Sequence, residues 1–243
     1  MRWENDTAMK YIHEVIDTYG FDSLKDKSMT YISDIVRLMV VRDFGGIYLD
    51  HDIMLVKDFT ELLTKDLVLT FQYKAENASH TDSYGQGDTL RHIIENKRYG
   101  TVSKFHSESV NNCFIAATPN HPFVLRALEL TLENHIKKPE EQLAMSDWGV
   151  GPGVFTRIIN EYGLDTSKAI RVENDSVIVY ECELLHPTHG YDRLELGKDA
   201  YKKHIQAIVD TKSSYAVHYH EHFGTGSFIE RKLILFGEWF KSL

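Results

Sequence analysis

The sequence predicts an α/β fold. Three observations carry that expectation: apolar residues recurring at helical spacing in several stretches, short continuous apolar runs between glycines and turn residues, and alternation of the two kinds along the chain. At 243 residues the chain is long enough to bury a core without a disulfide or metal staple. It carries no internal repeat and no low-complexity tract.

The elements follow in order. Met9, Ile12, Val15, Ile16 and Tyr19 fall on one helical face, so residues 7–19 form a helix that Gly20 ends. Ile32, Ile35, Val36, Met39, Val40 and Phe44 repeat the pattern over 30–44, with Thr30 as N-cap and Gly45-Gly46 as the stop. Ile47-Tyr48-Leu49 then reads as a short buried strand that runs into Asp50-His51-Asp52. Residues 53–56 stay apolar, and Leu67–Phe71 is a further strand. Residues 74–110 turn polar and form a variable loop region, with one short helix near 88–96. Beyond it come a small-residue strand over Asn112–Thr118, helices over Pro122–His135 and Pro152–Tyr162, strands at Val177–Tyr180 and Tyr215–Tyr219, and a helical tail over Phe228–Leu243. Trp3, Trp239 and Phe240 are expected in the core.

Charge narrows the function. Asp and Glu number 36 against 27 Lys and Arg, a net charge of −9. That excludes general binding to nucleic acid or to an anionic membrane surface. It also means that a phosphorylated ligand needs local cations or a divalent metal to hold it. Cys113 and Cys182 make neither a disulfide framework nor a zinc site. No run reaches the ~20 apolar residues of a membrane span.

Asp50 and Asp52 carry the chemistry. They follow an apolar strand, and ligands of open α/β sheets collect beyond the carboxyl ends of strands. If strand geometry persists, residues i and i+2 point to one side, and two such carboxylates repel unless a hard cation joins them. A pair of solvated turn aspartates is the alternative. Asp34 and Arg37 lie three apart on the preceding helix, either an ordinary surface pair or a clamp for sugar hydroxyls. A calcium loop starting at Asp50 fails, because Leu55 stands where glycine is needed. A phosphatase of the haloacid dehalogenase type, with Asp50 as nucleophile and Asp52 as acid/base, is a weaker alternative, since Met54 stands where Thr or Val is usual.

Taken together, Ser33-Asp34-Ile35-Val36-Arg37 and Gly45-Gly46-Ile47-Tyr48-Leu49-Asp50-His51-Asp52 resemble the signature of family 32-type glycosyltransferases, the enzymes with a sugar-binding region containing a DXD motif. Fungal mannosyltransferases, animal α-1,4-galactosyltransferases, bacterial capsule enzymes and the clostridial glucosylating toxins share that core. Asn112–Ala117 through Asn120–Phe123, Gly151–Thr156 and Tyr215–His218 resemble later family segments in the same order, so the resemblance covers residues 28–228.

The resemblance implies a single GT-A-type, Rossmann-like domain over 1–243, with a mixed central sheet flanked by helices. It implies a retaining hexosyltransferase that takes a nucleotide-sugar donor, a UDP-sugar before a GDP-sugar, and a glycan or other hydroxyl acceptor, with a place in polysaccharide biosynthesis. The cofactor implied is Mn²⁺ or Mg²⁺. By position, Asp52 would ligate the metal directly, Asp50 would reach the metal through water and the donor ribose or sugar, and His218 would complete the site. Asp34 and Arg37 would hold the donor sugar hydroxyls and, with Asp50, form the catalytic set. Tyr48 would lie beneath the nucleotide and Asn112 would face the sugar. No catalytic base is implied, because the leaving phosphate can take the acceptor's proton.

Two departures set further expectations. Family chains open with a strand reading Ile-Pro-Lys-Ile-Ile-His-Gln-Ile-Trp or similar, and this chain starts at Met1-Arg2-Trp3. The usual first strand is therefore expected to be missing, and a truncated or non-catalytic relative that binds sugar or a partner is the alternative function. As given, the chain is expected in the cytoplasm, or in the Golgi lumen if it comes from an anchored enzyme. Second, the family's terminal Ala-Ile-His-His-Trp is replaced by His218-Tyr219-His220-Glu221-His222. Those three histidines would share one face of a strand, and any of them could reach a metal. Ser227-Phe228 stands where the family has Ser-Trp, so the indole donor is lost, and His220 or Ser227 is the candidate substitute. Asp147 and Trp148 are minor candidates for the acceptor site.

Overall fold

A computed structural model describes residues 5–24, 29–50, 52–72, 110–136, 150–166, 170–185, 187–188 and 196–219. Two compact units emerge: 1–50 with 59–182, and 51–58 with 183–243.

The first unit is an α/β layer structure. Its helices are α1 (Asn5–Tyr19), α2 (Met29–Phe44), α3 (Pro122–Ile136) and α4 (Pro152–Glu161). Its strands are β1 (Gly46–Leu49), β3 (Leu67–Thr70), β4 (Phe114–Ala117), β5 (Val172–Glu173) and β6 (Val177–Tyr180). They lie in the order β1-β4-β3-β6-β5. Among the described residues only the β3–β6 pair of this sheet is parallel, with Leu67 opposite Val177; the other pairs are antiparallel. The predicted α/β class, with a mixed central sheet flanked by helices, is borne out.

Every residue of β3, β4 and β6 is buried, as continuous apolar runs require when both faces are covered. Leu67, Leu69, Ile115, Val177 and Val179 meet Phe123, Ala127 and Leu130 of α3 and Phe155, Ile158 and Ile159 of α4 in one cluster. A second cluster joins Tyr11, Val15 and Tyr19 of α1 to Ile35 and Met39 of α2. The 3.6-residue spacing of those positions is what brings the two helix faces together.

β1 corrects the expectation of a buried strand. It lies at the end of the strand order among the described residues, and Ile47 is 42% exposed. An edge strand has a ladder partner on one side only, so an apolar run alone does not bury it. Gly45 turns α2 into β1. At φ +60° its Cα lies so close to Pro119 that a Cβ would come within 2.5 Å of the ring Cδ, and no side chain fits there.

The second unit has the strands β2 (Ile53–Leu55) and β7 (Ala216–His218), paired antiparallel with Ile53 opposite His218, and the helix α5 (Lys198–Thr211). Tyr201, Ile205 and Ile208 of α5 form a core with Val217. Sequence reading missed α5, although Tyr201, Ile205 and Ile208 show the i, i+4, i+7 spacing that would have found it. It also missed the two-residue β5. The expected helices at 88–96 and 228–243, Trp3, and Trp239 and Phe240 lie outside the described residues, as does nearly all of the 74–110 loop region. Among the described residues, no helix is long and apolar enough to cross a membrane.

Candidate sugar-binding and metal-ligating residues

In the first unit the site is built around Arg37. Its place on α2, one turn after Asp34, aims both side chains at the same spot beside the end of β1. All three guanidinium nitrogens are engaged. Nε donates to the Ser33 carbonyl at 3.3 Å. Nη2 donates to Ser33 Oγ at 3.2 Å and pairs with Asp34 Oδ1 at 2.8 Å. Nη1 donates to the Asn112 carbonyl at 2.6 Å and pairs with Asp50 Oδ1 at 3.2 Å. The guanidinium also lies over the Tyr48 ring, 4.8 Å from its centroid. Burial works against the Arg37 charge, and Asp34 and Asp50 more than offset it, so its pKa is raised.

Asp34 is as buried as Arg37. Its Oδ1 accepts a second hydrogen bond, from Asn112 Nδ2 at 2.9 Å. Desolvation still dominates. It pushes the Asp34 carboxyl up to about 6, against the opposing pull of Arg37 and the Asn112 hydrogen bond. Asp34 is therefore ionised at neutral pH and protonated in mild acid.

β1 delivers Tyr48 and Asp50. Asp50 N–H donates to the Cys113 carbonyl, which extends the β1–β4 ladder one step past Leu49. The Tyr48 hydroxyl donates to Asp50 Oδ1 at 2.6 Å. Burial raises the Tyr48 pKa and keeps the phenol neutral, as a donor must be. Asp50 Oδ1 is thus held by both Tyr48 and Arg37. Asn112 is held in its turn: Asn111 N–H bonds the Thr70 carbonyl, and Asn111 Oδ1 accepts from Cys113 N–H at 2.7 Å.

In the second unit, Asp52 and His218 meet. Their Oδ1 and Nε2 are 3.0 Å apart. The β2–β7 register fixes this contact: Ile53 faces His218, and Tyr219 N–H donates to the Asp52 carbonyl. The His218 carbonyl accepts from Thr188 Oγ1 at 2.7 Å and from the Tyr201 hydroxyl at 3.1 Å. Strand geometry does not run on from Asp50 to Asp52, because β1 ends at Leu49 and Asp52 lies in the turn that opens β2. A carboxylate beside an imidazole is a donor set that suits Mn²⁺, and carboxylate oxygens suit Mg²⁺, so the residues present fit the implied cation.

Of the site residues expected from sequence, Asp34, Arg37, Tyr48, Asp50 and Asn112 come together in the first unit, and Asp52 and His218 in the second. Tyr48 is engaged with Asp50 and Arg37 through its hydroxyl and ring face. Sequence reading missed Ser33 as an Arg37 partner, and Thr188 and Tyr201 as supports of His218. Ser33 stands four residues before Arg37 on the same helix, a spacing that could have marked it, whereas the Thr188 and Tyr201 contacts arise from tertiary packing. His51, His220, His222, Asp147, Trp148, Ser227 and Phe228 lie outside the described residues.

Residues 1–69 match the family described as "Glycosyltransferase sugar-binding region containing DXD motif". A curated relative, "Toxin Afp18" of Yersinia ruckeri serotype O1, is 29% identical over 150 residues, which are 60% of this chain and 6% of the toxin. The chain thus spans a small fraction of that relative's length. A solved structure titled "PaToxG Glycosyltransferase" is similar with a TM-score of 0.34 and 24% sequence identity, over 63% of this chain and 40% of that one. The resemblance to DXD-motif glycosyltransferases is borne out over residues 1–69, the segment that holds Asp34, Arg37, Asp50 and Asp52.

Proposed function

We propose that this chain is a retaining glycosyltransferase that moves a hexose from a nucleotide-sugar donor, a UDP-sugar before a GDP-sugar, to a glycan or other hydroxyl acceptor. The observation that carries the reading is the convergence of Asp34, Asn112 and Asp50 on Arg37 at the strand end, with Asp34, Arg37 and Asp50 inside the segment that matches the family model. A carboxylate and an amide fixed in this way present acceptors and donors to a polyol, and the ion pairs lock their rotamers before any sugar arrives.

Asp50, Asp52 and His218 are the proposed holders of a divalent cation, Mn²⁺ or Mg²⁺. That cation would supply the positive charge a diphosphate leaving group needs, and it would reconcile diphosphate binding with a net charge of −9. The chain's own residues do the rest. Tyr48 and Arg37 restrain Asp50 through Oδ1 and leave Oδ2 for the ligand. Asp34 and Asn112 orient the sugar. No side chain is assigned as base; the leaving phosphate accepts the acceptor's proton. The Tyr48 and Arg37 contacts also disfavour the phosphatase reading, because a nucleophilic Asp50 would be blunted by two donors on one oxygen.

Calorimetric titration with UDP and with GDP, each with and without Mn²⁺, tests the reading. The expected result is metal-dependent binding of one nucleotide that Asp52→Asn abolishes while the fold persists. Equal binding with and without metal, or full binding by Asp52→Asn, sinks the metal assignment. No binding of either nucleotide by folded protein turns the assignment to a non-catalytic sugar- or partner-binding relative. The anomeric configuration of the product, read by NMR, tests retention.

A further inference from the structure

We infer that Gly151 is a positioning residue: the absence of a Cβ there leaves the space in which the Asn112 amide reaches Asp34. The inference rests on the glycosyl-transfer reading for its functional consequence, but not for its geometry.

Gly151 precedes α4 with φ +62° and ψ −133°, a conformation that L side chains rarely adopt. A Cβ built on it would lie 2.7 Å from Asn112 Nδ2 and 3.1 Å from Asp34 Oδ2. Both contacts are side-chain atoms of the proposed sugar site, and both are held. The Asn112 backbone is tied by its carbonyl to Arg37 Nη1. Asp34 is tied through Oδ1 to Arg37 and to the Asn112 amide. Gly151 cannot retreat easily either. Thr156 Oγ1, one turn into α4, donates to the Pro152 carbonyl and accepts from Val110 N–H, both at 2.8 Å. This ties the start of α4 to Val110, two positions before Asn112. With both backbones fixed, the part free to yield to a Cβ is the Asn112 amide, and yielding breaks its bond to Asp34. Gly151 thereby acts through Asn112, closing the back of the sugar site with backbone alone.

Gly151→Ala in the full chain tests this in two independent ways. The first needs no activity. The Asn112 side-chain amide signals of ¹⁵N-labelled protein, assigned by their loss in Asn112→Ala, should shift in Gly151→Ala while signals from β5, at the opposite end of the strand order from β1, stay in place. Unmoved amide signals overturn the inference, whatever the protein catalyses. The second is kinetic. A hydrogen bond to a charged group governs roughly a tenfold to hundredfold change in kcat/KM. Gly151→Ala should lose that much on the UDP-sugar that the wild type turns over, and UDP affinity should stay within about twofold. In the Asn112→Ala background the same substitution should add less than about twofold, because the closest clash is gone and only the looser approach to Asp34 Oδ2 and the backbone strain remain. Additive losses, or UDP affinity falling in step with turnover, assign Gly151 to general stability and overturn the positioning role. A wild type inactive on every nucleotide sugar defeats the functional reading, and the amide signals then decide the Gly151 geometry on their own.

Discussion

Two arginine clusters of the first unit invite comparison. Arg37 faces Asp34 and Asp50 where it and Asp34 are almost fully buried, at 6% and 9% side-chain exposure. Arg126 on α3 faces Glu129, Glu133 and Glu161 at similar distances, 2.8–3.4 Å, but its partners are 38–64% exposed. The chemistry is the same and the consequences differ. Water screens the Arg126 network, and the long side chains lose entropy by holding still. In the Arg37 cluster, desolvation raises the cost of every unmade contact, so geometry and protonation become tightly specified. A network of that kind is worth little as a source of stability and much as a preorganised site.

The largest effect should come from Arg37→Ala. It leaves Asp34 buried without its cation, a loss of about 3–5 kcal/mol for a broken buried pair. Urea denaturation reads the stability, and turnover should vanish. Asp34→Leu with Arg37→Met sharpens the point, because removing both charges should restore much of the stability and none of the turnover. A stable, active Arg37→Ala would erase the distinction between the two clusters.

Next comes Asp34 and pH. Its folded pKa, about 6, lies above the ordinary 3.8. Between those values the folded state holds a proton that the unfolded state has released. Its contribution to stability is complete below about pH 4 and is lost as pH rises through about 6. Asp34→Asn should lack this fall when unfolding free energy is followed from pH 4 to 7. Turnover runs the other way and should decline below about pH 6, where the carboxylate that pairs with Arg37 is neutralised. A flat wild-type stability profile over that range would show Asp34 to be less desolvated than its packing implies.

Tyr48→Phe is milder. It deletes one donor to Asp50 and leaves Arg37 in place, so kcat/KM should fall by about tenfold with little change in unfolding midpoint. An unchanged kcat/KM would show that Arg37 alone suffices to hold Asp50.

The same contrast governs what the sequence made legible. Asp34 and Arg37 were readable as a helical i, i+3 pair, and Asp50 and Asp52 as carboxylates after an apolar run, because local spacing encodes both. Spacing is identical for buried and exposed pairs, so the burial that distinguishes Arg37 from Arg126 was not readable from it. β1 was misjudged for the same reason: whether Ile47-Tyr48-Leu49 lies at the middle or the edge of a sheet depends on strand order, a non-local property. Asn112 came only from family resemblance, and its amide bond to Asp34, 78 positions away, exists only in the fold. Tyr201, Ile205 and Ile208 were locally legible, and α5 was nonetheless missed.

Arg126→Ala should have the smallest effect and makes the sharpest control. Arg126 donates from Nη1 to Glu129 and Glu133 and from Nε to Glu161, more carboxylate partners than Arg37 has. If ion-pair number set the energy, its loss would exceed that of Arg37. Screening predicts the reverse: at most about 1 kcal/mol near physiological salt, shrinking further as salt is raised because the Debye length falls to about 3 Å at 1 M. Part of even that small loss would be recovered, since removing Arg126 frees Glu129 and Glu133 to hydrate fully while Glu161 keeps its pair with Arg157. Denaturation of wild type and Arg126→Ala at low and high salt separates the cases. A salt-independent loss of several kcal/mol would mean that water does not reach the carboxylates, and the contrast with Arg37 would then rest on something other than desolvation.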